Sequence, residues 1–299
     1  MKKYIIIAIV SISLLGIIGI SIYPSYSTKK WVEENWNNEW SLGYAQNLDQ
    51  VKAWVNYRDS LSAKTEKQHY SFALLRQLFE ASSIHKSDLR NLIDILKYLI
   101  ENGADPNFVK ADNQYARDAI MLTSRISNIA PDTQIEIYQM LFDAGAKILT
   151  EETTQDGVLR CSSPLKNVDV KVFKFLLEKA KDKKYHADFD SLKTCTAIAI
   201  LQGGTRERYH HIKTLLDYGL NSRILSPLLA QVLQDASVFK KDVNIANLET
   251  VVRDLIKHGA DINYVDPDGF SIKQNAAKVA IPSIFKFINE AETSQATTK

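Results

Sequence analysis

The residues able to do chemistry in this 299-residue chain are few and widely spaced. Of its six histidines, His210 and His211 are adjacent, so their rings would point in different directions on a helix. No carboxylate or cysteine lies at metal-ligand spacing from either ring. His258 precedes a glycine that would end a helix, where the helix dipole favours an imidazolium. The histidines therefore predict no metal site.

Nucleophile and phosphate-binding motifs do not occur either. The sequence contains no Gly-x-Ser-x-Gly or P-loop motif, and Gly203–Gly204 stands alone, without phosphate-binding context. The acidic residues at 261, 266 and 268 lack the EF-hand spacing and its closing glutamate, so a turn explains them better. We therefore expect no enzyme, no cofactor and no small-molecule substrate.

The two cysteines, Cys161 and Cys195, are 34 residues apart. In an oxidising compartment, two cysteines at matched places in neighbouring structural units can form a disulfide. Packed helices, however, lie ~10 Å apart, whereas a disulfide needs Cα atoms within about 7 Å. A bridge would thus require a local displacement, and two buried thiols are an equally good expectation.

A recurring helix end indicates which elements carry these residues. The segment Leu99–Asn107 (LIENGADPN) returns as Leu255–Asn263 (LIKHGADIN), with weaker copies at Leu141–Ala146 and Leu215–Asn221. In each copy a glycine follows the apolar pair, and glycine enters the left-handed backbone region without steric cost. The Asp and Asn behind it favour a tight turn. A helix end that recurs predicts a repeat protein.

The spacing of these ends resembles that of the ankyrin repeat, a unit of ~33 residues with a turn and two helices. Gly103, Gly145, Gly219 and Gly259 are separated by 42, 74 and 40 residues. The 74-residue interval is long enough for one more repeat, and a helix at Val172–Ala180, with Ala180 in place of the glycine, is the candidate for it. The resemblance covers roughly residues 88 to 290 and departs from the family in its longer spacing.

Fragments of the family's first-helix signature also occur, in which Ser or Thr caps the helix and proline opens its first turn. They are Ser163–Lys166, Ser226–Ala230 and Thr196–Ala199. The resemblance implies an all-α fold, an ankyrin-like helical-hairpin solenoid. HEAT-like or generic helical hairpins are the alternative, which the glycine-Ala-Asp turns disfavour.

An uncharged run from Tyr4 to Tyr23 precedes these repeats. Twenty helical residues span about 30 Å, the thickness of a bilayer's hydrocarbon core. Lys2 and Lys3 place the N-terminus in the cytoplasm by the positive-inside rule. We predict an uncleaved anchor within residues 1–28, single-pass in the inner membrane, with the bulk of the chain in the periplasm. A cleaved signal peptide is the alternative, but the run is long and no Ala-x-Ala site follows.

Residues 29–87 form an aromatic-rich segment before the repeats. Trp36, Trp40 and Tyr44 fall four residues apart and would line one helical face, with Trp54 and Tyr57 on the next segment. We interpret it as a helical cap and a degenerate first repeat, since a solenoid needs its exposed apolar end covered. A membrane-surface helix is the alternative. The repeats would occupy 88–290, and the polar residues 291–299 a disordered tail.

Charge argues against nucleic acid as a partner. Lys and Arg total 37 and Asp and Glu total 35, with two of the lysines ahead of the apolar run. A nucleic-acid binder needs a basic surface because phosphate contacts dominate the affinity, and no arginine-rich stretch occurs here. A protein is therefore the expected partner.

The ankyrin resemblance implies that the projecting turns and first helices grip that partner. The candidate contact residues are Phe108, Lys110, Tyr264, Asp266 and Asp268, and all of them except Asp266 exceed what a turn demands. The alternative is that the Asp residues only shape the turn. A tethered, exported, protein-binding chain resembles ankyrin-type immunity proteins of the type VI secretion system, which neutralise a toxic effector such as a lipase. A periplasmic scaffold for envelope enzymes or stress defence is the alternative.

Overall fold

A computed structural model describes residues 26–35, 45, 47–61, 66–83, 89–109, 118–127, 129–155, 158–202, 209–238 and 244–297. The apolar run Tyr4–Tyr23 and the aromatic residues Trp36, Trp40 and Tyr44 lie outside these ranges. Within them, no helix combines the length and apolar character needed to cross a membrane.

The chain divides into two compact units, Met1–Ala146 and Lys147–Lys299. The described part of the first unit is helical. Its helices are α1 (Tyr26–Asn35), α2 (Leu48–Leu61), α3 (Glu66–Ser83), α4 (Leu89–Glu101), α5 (Ala119–Thr123) and α6 (Pro131–Asp143). The core holds Trp54 from the aromatic-rich segment, Leu78 from α3 and Tyr138 from α6.

The second unit begins with a β-hairpin and continues as helices. Strands β1 (Glu151–Gln155) and β2 (Val158–Ser162) pair antiparallel, with Glu151 opposite Ser162, and a 3-10 turn follows at Pro164–Asn167. The helices are α7 (Val170–Ala180), α8 (Phe189–Gln202), α9 (Tyr209–Asp217), α10 (Ser222–Val238), α11 (Ile245–Lys257), α12 (Ile272–Val279) and α13 (Pro282–Thr297). The mostly helical class predicted from the sequence is confirmed, and the hairpin was not predicted.

The recurring glycines do end helices. Gly103, Gly145, Gly219 and Gly259 all have φ between 74° and 101° and lie two residues beyond the ends of α4, α6, α9 and α11. The amide of Ala260 donates to the carbonyl of Leu255 at 3.0 Å, and Ala104 and Ala146 make the equivalent bonds in their own turns. This pattern satisfies the last carbonyl groups of a helix.

The weaker copy at Leu215–Asn221 is completed by a lysine from another helix. Lys193 on α8 is buried, and its Nζ donates to the carbonyls of Tyr218 at 2.9 Å and Gly219 at 2.6 Å. A cation is favoured at the negative end of a helix, so Lys193 stabilises the end of α9.

The predicted helix starts, in contrast, are wrong at two of the three positions. Pro227 lies inside α10, which begins at Ser222, and Thr196 lies inside α8. The side chain of Asn221 instead accepts the amide of Arg223 at 2.9 Å, as a helix-capping residue does. At the third position Ser163 accepts the amide of Leu165 at 3.2 Å, as predicted, but the element it caps is a 3-10 turn.

The C-terminal residues also differ from the expected disordered tail, because α13 continues to Thr297. Ile284 and Ile288 bury one face of its first half, and Lys273 on α12 pairs with Glu292 at 3.0 Å. This anchored first half allows the helix to extend through the small polar residues that follow.

Candidate protein-binding turns

The turn after α4 is held by hydrogen bonds to residues that are distant in the sequence. The amide of Asp105 donates to Ser71 Oγ on α3 at 2.7 Å, and the Asp105 carboxylate accepts the amide of Asn107 at 2.9 Å. Asn107 in turn donates to the carbonyl of Gly145 at 3.0 Å. These bonds hold the turn from both sides.

The turn after α11 in the second unit is built in the same way. The amide of Asp261 donates to Ser226 Oγ on α10 at 2.8 Å, and the Asp261 carboxylate accepts the amide of Asn263 at 2.9 Å. The serine lies 34 residues before the aspartate in the first unit and 35 in the second. Two turns 156 positions apart in the sequence thus have the same hydrogen-bonding pattern.

Beyond Asn263 the second turn projects as a short hairpin tip. Val265 forms a β-bridge with Ser271, and the amide of Asp266 donates to the carbonyl of Phe270 at 2.9 Å. Gly269, with φ 82°, allows the chain to reverse at the end of the tip. Ser271 then caps α12 in a capping box with Gln274.

Asp266 points into this hairpin tip, contrary to its predicted role in binding a partner. It is buried, and its carboxylate accepts hydrogen bonds from Gln234 Nε2 at 2.7 Å, Asn275 Nδ2 at 2.8 Å and the amide of Phe270 at 2.8 Å. Burial alone would raise the pKa of Asp266, but these bonds and one from the amide of Asp268 together hold it below its ordinary value. The ionised carboxylate therefore organises the turn.

The other sequence candidates have different surroundings. Tyr264 and Phe108 are half-buried, Asp268 is exposed, and Lys110 lies outside the described residues. Phe108 and Lys110 belong to the first unit, and Tyr264, Asp266 and Asp268 belong to the second. Each turn is therefore a separate candidate site.

Sequence reasoning missed the apolar side chains at the tips of the turns. Val265 is 54% exposed, Phe270 is 37% exposed and Val109, in the first unit, is 41% exposed. Lys278 Nζ lies over the ring of Phe270. Since side chains alternate along extended backbone, the inward position of Asp266 implies that its neighbour Val265 points outward. This alternation is the sequence signal that could have identified the exposed apolar side chain of Val265.

The two cysteines lie together in the second unit. Both are buried thiols, and they share one apolar cluster with Ala199. Cys195 Sγ is 3.9 Å from the carbonyl of Ser162, the residue after Cys161. The hairpin rather than a packed helix brings Cys161 to α8, so the separation expected from helix spacing does not apply here. The structure forms no disulfide between them.

The histidines have local structural partners. His211 is buried, its Nε2 lies 2.8 Å from the carbonyl of Val168, and its ring packs edge-on against Phe173. His258 Nδ1 lies 2.7 Å from the carbonyl of Asp254 on α11. Across the ranges that the structure describes, no three His, Cys, Asp or Glu side chains are grouped so as to hold a metal ion.

No protein-family model matches the sequence, and no curated protein matches it. The turns and their exposed apolar side chains are therefore the basis on which a function is proposed.

Proposed function

We propose that the chain is a protein-binding module of ankyrin-like repeats that uses its projecting turns to hold a partner. The observation that carries this proposal is the serine-anchored turn, which occurs after α4 and again after α11 with the same bonds. In each turn the aspartate bonds to a serine 34 or 35 residues earlier, which is close to one ankyrin repeat length, and such a bond fits the stacking of one repeat on the next.

The hairpin tip of the second unit has the properties of a protein contact surface. Its backbone is fixed by the Val265–Ser271 bridge and by Asp266, so little conformational freedom is lost on binding. Val265 and Phe270 are exposed beside Asp268, an arrangement that fits an apolar contact centre with a charged residue at its polar rim.

The role that we propose is immunity against a toxic effector in the bacterial envelope. The predicted anchor at Tyr4–Tyr23 would tether the chain to the inner membrane and expose the turns to the periplasm. There the chain would bind an incoming effector, such as a lipase acting on the envelope, and cover its active site. Occlusion needs a binding surface and no catalytic group of its own.

Co-purification tests the binding step. The full chain, solubilised in a nonionic detergent, should retain the product of a neighbouring effector gene through size-exclusion chromatography. Retention of a housekeeping envelope enzyme instead, with no affinity for the effector, would contradict the immunity role and favour a periplasmic scaffold. Failure to bind either protein would contradict both roles.

A further inference from the structure

Outside the turns, the second unit carries a locally basic surface on α7 and the residues that follow it. Residues 170–185 contain six of the 37 basic residues of the chain but only two of its 35 acidic ones, so the rest of the chain is slightly acidic. We call this the lysine surface; its lysines are Lys171, Lys174, Lys179, Lys181, Lys183 and Lys184. Such a concentration of one charge creates a local field that attracts groups of opposite charge.

The amphipathic character of α7 places these lysines on the outside. Val172, Phe173, Leu176 and Leu177 are buried, whereas Lys171 and Lys174 on the opposite face are exposed. The segment beyond α7 is ordered by backbone bonds: the carbonyl of Asp182 accepts the amide of Tyr185, and the carbonyl of Tyr185 accepts the amide of Ile148 at 2.8 Å. Lys183 and Lys184 therefore extend the basic face from a fixed turn.

Three of the lysines rest on aromatic rings. Lys179 Nζ lies 5.5 Å from the ring centres of both Phe175 and Tyr185. Lys184 Nζ lies 5.0 Å from the ring centre of Tyr185, and Lys181 Nζ lies 4.6 Å from the ring centre of Tyr218. These distances are within the range of cation–π attraction. The rings limit the movement of the ammonium groups, so less side-chain entropy is lost when a partner binds.

One acidic residue within the surface is already engaged. Both carboxylate oxygens of Glu178 accept from Lys181 Nζ, at 2.8 and 2.9 Å, and Tyr218 also donates to this carboxylate. The bond from Lys181, followed by that from Tyr218, lowers the pKa of Glu178. Glu178 thus offsets Lys181, and the segment retains five further lysines against one further acid, Asp182.

We propose that the lysine surface is a docking site for a protein that presents a cluster of carboxylates. Charge complementarity selects the partner, and the acidic side chains would pair with lysines already positioned by the aromatic rings. An anionic membrane fits less well, because Phe175 and Tyr185 are half-buried and lie beneath ammonium groups, so they cannot insert between lipids. Nucleic acid also fits less well, since the segment has no arginine to grip phosphates in a bidentate manner.

Binding of fluorescein-labelled poly-L-glutamate to the full chain in a nonionic detergent tests the proposal by fluorescence anisotropy. The Lys174→Glu/Lys183→Glu variant should lose at least about tenfold in affinity, because two attractive charges become repulsive. The Lys174→Gln/Lys183→Gln variant should lose less, and binding should weaken as salt is raised. The matched control is Lys257→Glu/Lys286→Glu, which changes the net charge equally at two exposed lysines elsewhere in the unit and should bind as the wild type does.

Two results would overturn the proposal. An equal loss in the control would show that net charge, and not this surface, governs binding. Binding of short-chain phosphatidylglycerol or of a DNA duplex that depends on Lys174 and Lys183, without binding of poly-L-glutamate, would assign the surface to a membrane or to nucleic acid. Thermal unfolding followed by circular dichroism shows whether each variant is folded, and the glutamine variant tests the proposal even if the charge reversal does not fold.

Discussion

Asp266 shows how one side chain can fix the shape of a turn. Its carboxylate accepts from a helix before the turn, a helix after it and the backbone of the turn itself, through Gln234, Asn275 and Phe270. Charge-assisted bonds of this kind are about twice as strong as neutral ones. In the proposed function Asp266 has an indirect role, because it holds Val265 and Phe270 in their exposed positions.

The Asp266→Asn variant should lower the free energy of unfolding at pH 7 by about 1–3 kcal/mol. Asparagine replaces one accepting carboxylate oxygen with an amide nitrogen, so at least one of the present donors would lose its acceptor. The folded-state pKa of Asp266 is depressed, so the stability from its ionised form is present above the ordinary value of 3.8 and is lost as pH falls through the folded value. In urea unfolding, the difference in the free energy of unfolding between wild type and variant should thus become smaller below pH 3.8.

Asp268→Asn is the matched control, because Asp268 is an exposed acid two residues away. Its effect on unfolding should stay within about 0.5 kcal/mol. A similar loss of stability in both variants, or a difference at Asp266 that does not change with pH, would contradict the account of this turn.

Residue types alone did not distinguish these two acids. Asp266 and Asp268 were both predicted to contact a partner, yet one is buried and the other exposed. The orientation of Asp266 depends on Gln234 and Asn275, which belong to other helices and meet it only after folding. The positions of the turns follow from the Gly-Ala-Asp pattern, but the apolar contacts at their tips depend on the local backbone alternation.

At the scale of secondary structure, the glycines set where the helices end. The φ of Gly259 is 101°, and a Cβ built on it would meet no atom within 4 Å. Only the backbone conformation therefore demands glycine at this position.

The Gly259→Ala variant should lower the free energy of unfolding by about 1–2 kcal/mol, the cost of a left-handed conformation for a residue with a side chain. Gly259→Asn should lose less, because asparagine adopts this region more readily. Urea unfolding monitored by circular dichroism measures both. Equal stability of wild type and alanine variant would contradict the assigned helix end.

Helix ends could be predicted from the sequence because a positive φ at these positions favours one residue type, glycine. Helix starts were less predictable: Ser226 resembles a cap, but its hydroxyl accepts the amide of Asp261 from the next turn. The hairpin was missed as well, although Asp156–Gly157 is a dipeptide that favours two-residue hairpin turns. Long-range contacts such as Ser226–Asp261 have no local sequence signal.

At the scale of the whole molecule, the proposed function places the affinity for a partner in the exposed tip of the last turn. The double variant Val265→Ser/Phe270→Ala should reduce affinity for the effector at least about tenfold, because it removes an aromatic side chain and its apolar neighbour from the proposed centre of the contact. Isothermal titration calorimetry with the purified effector measures the change. Val238→Ser, which removes an exposed apolar side chain from α10 outside the turns, should leave affinity unchanged. An intact affinity in the double variant would contradict the role of this tip.

Survival under attack tests the central claim most directly. A strain that lacks the chain should be killed when the neighbouring effector is delivered to its periplasm or expressed there. Expression of the full chain should restore survival, while the Val265→Ser/Phe270→Ala variant should restore it only in part. Equal sensitivity of the deletion strain and its parent to that effector would contradict the proposal that this chain is its immunity protein.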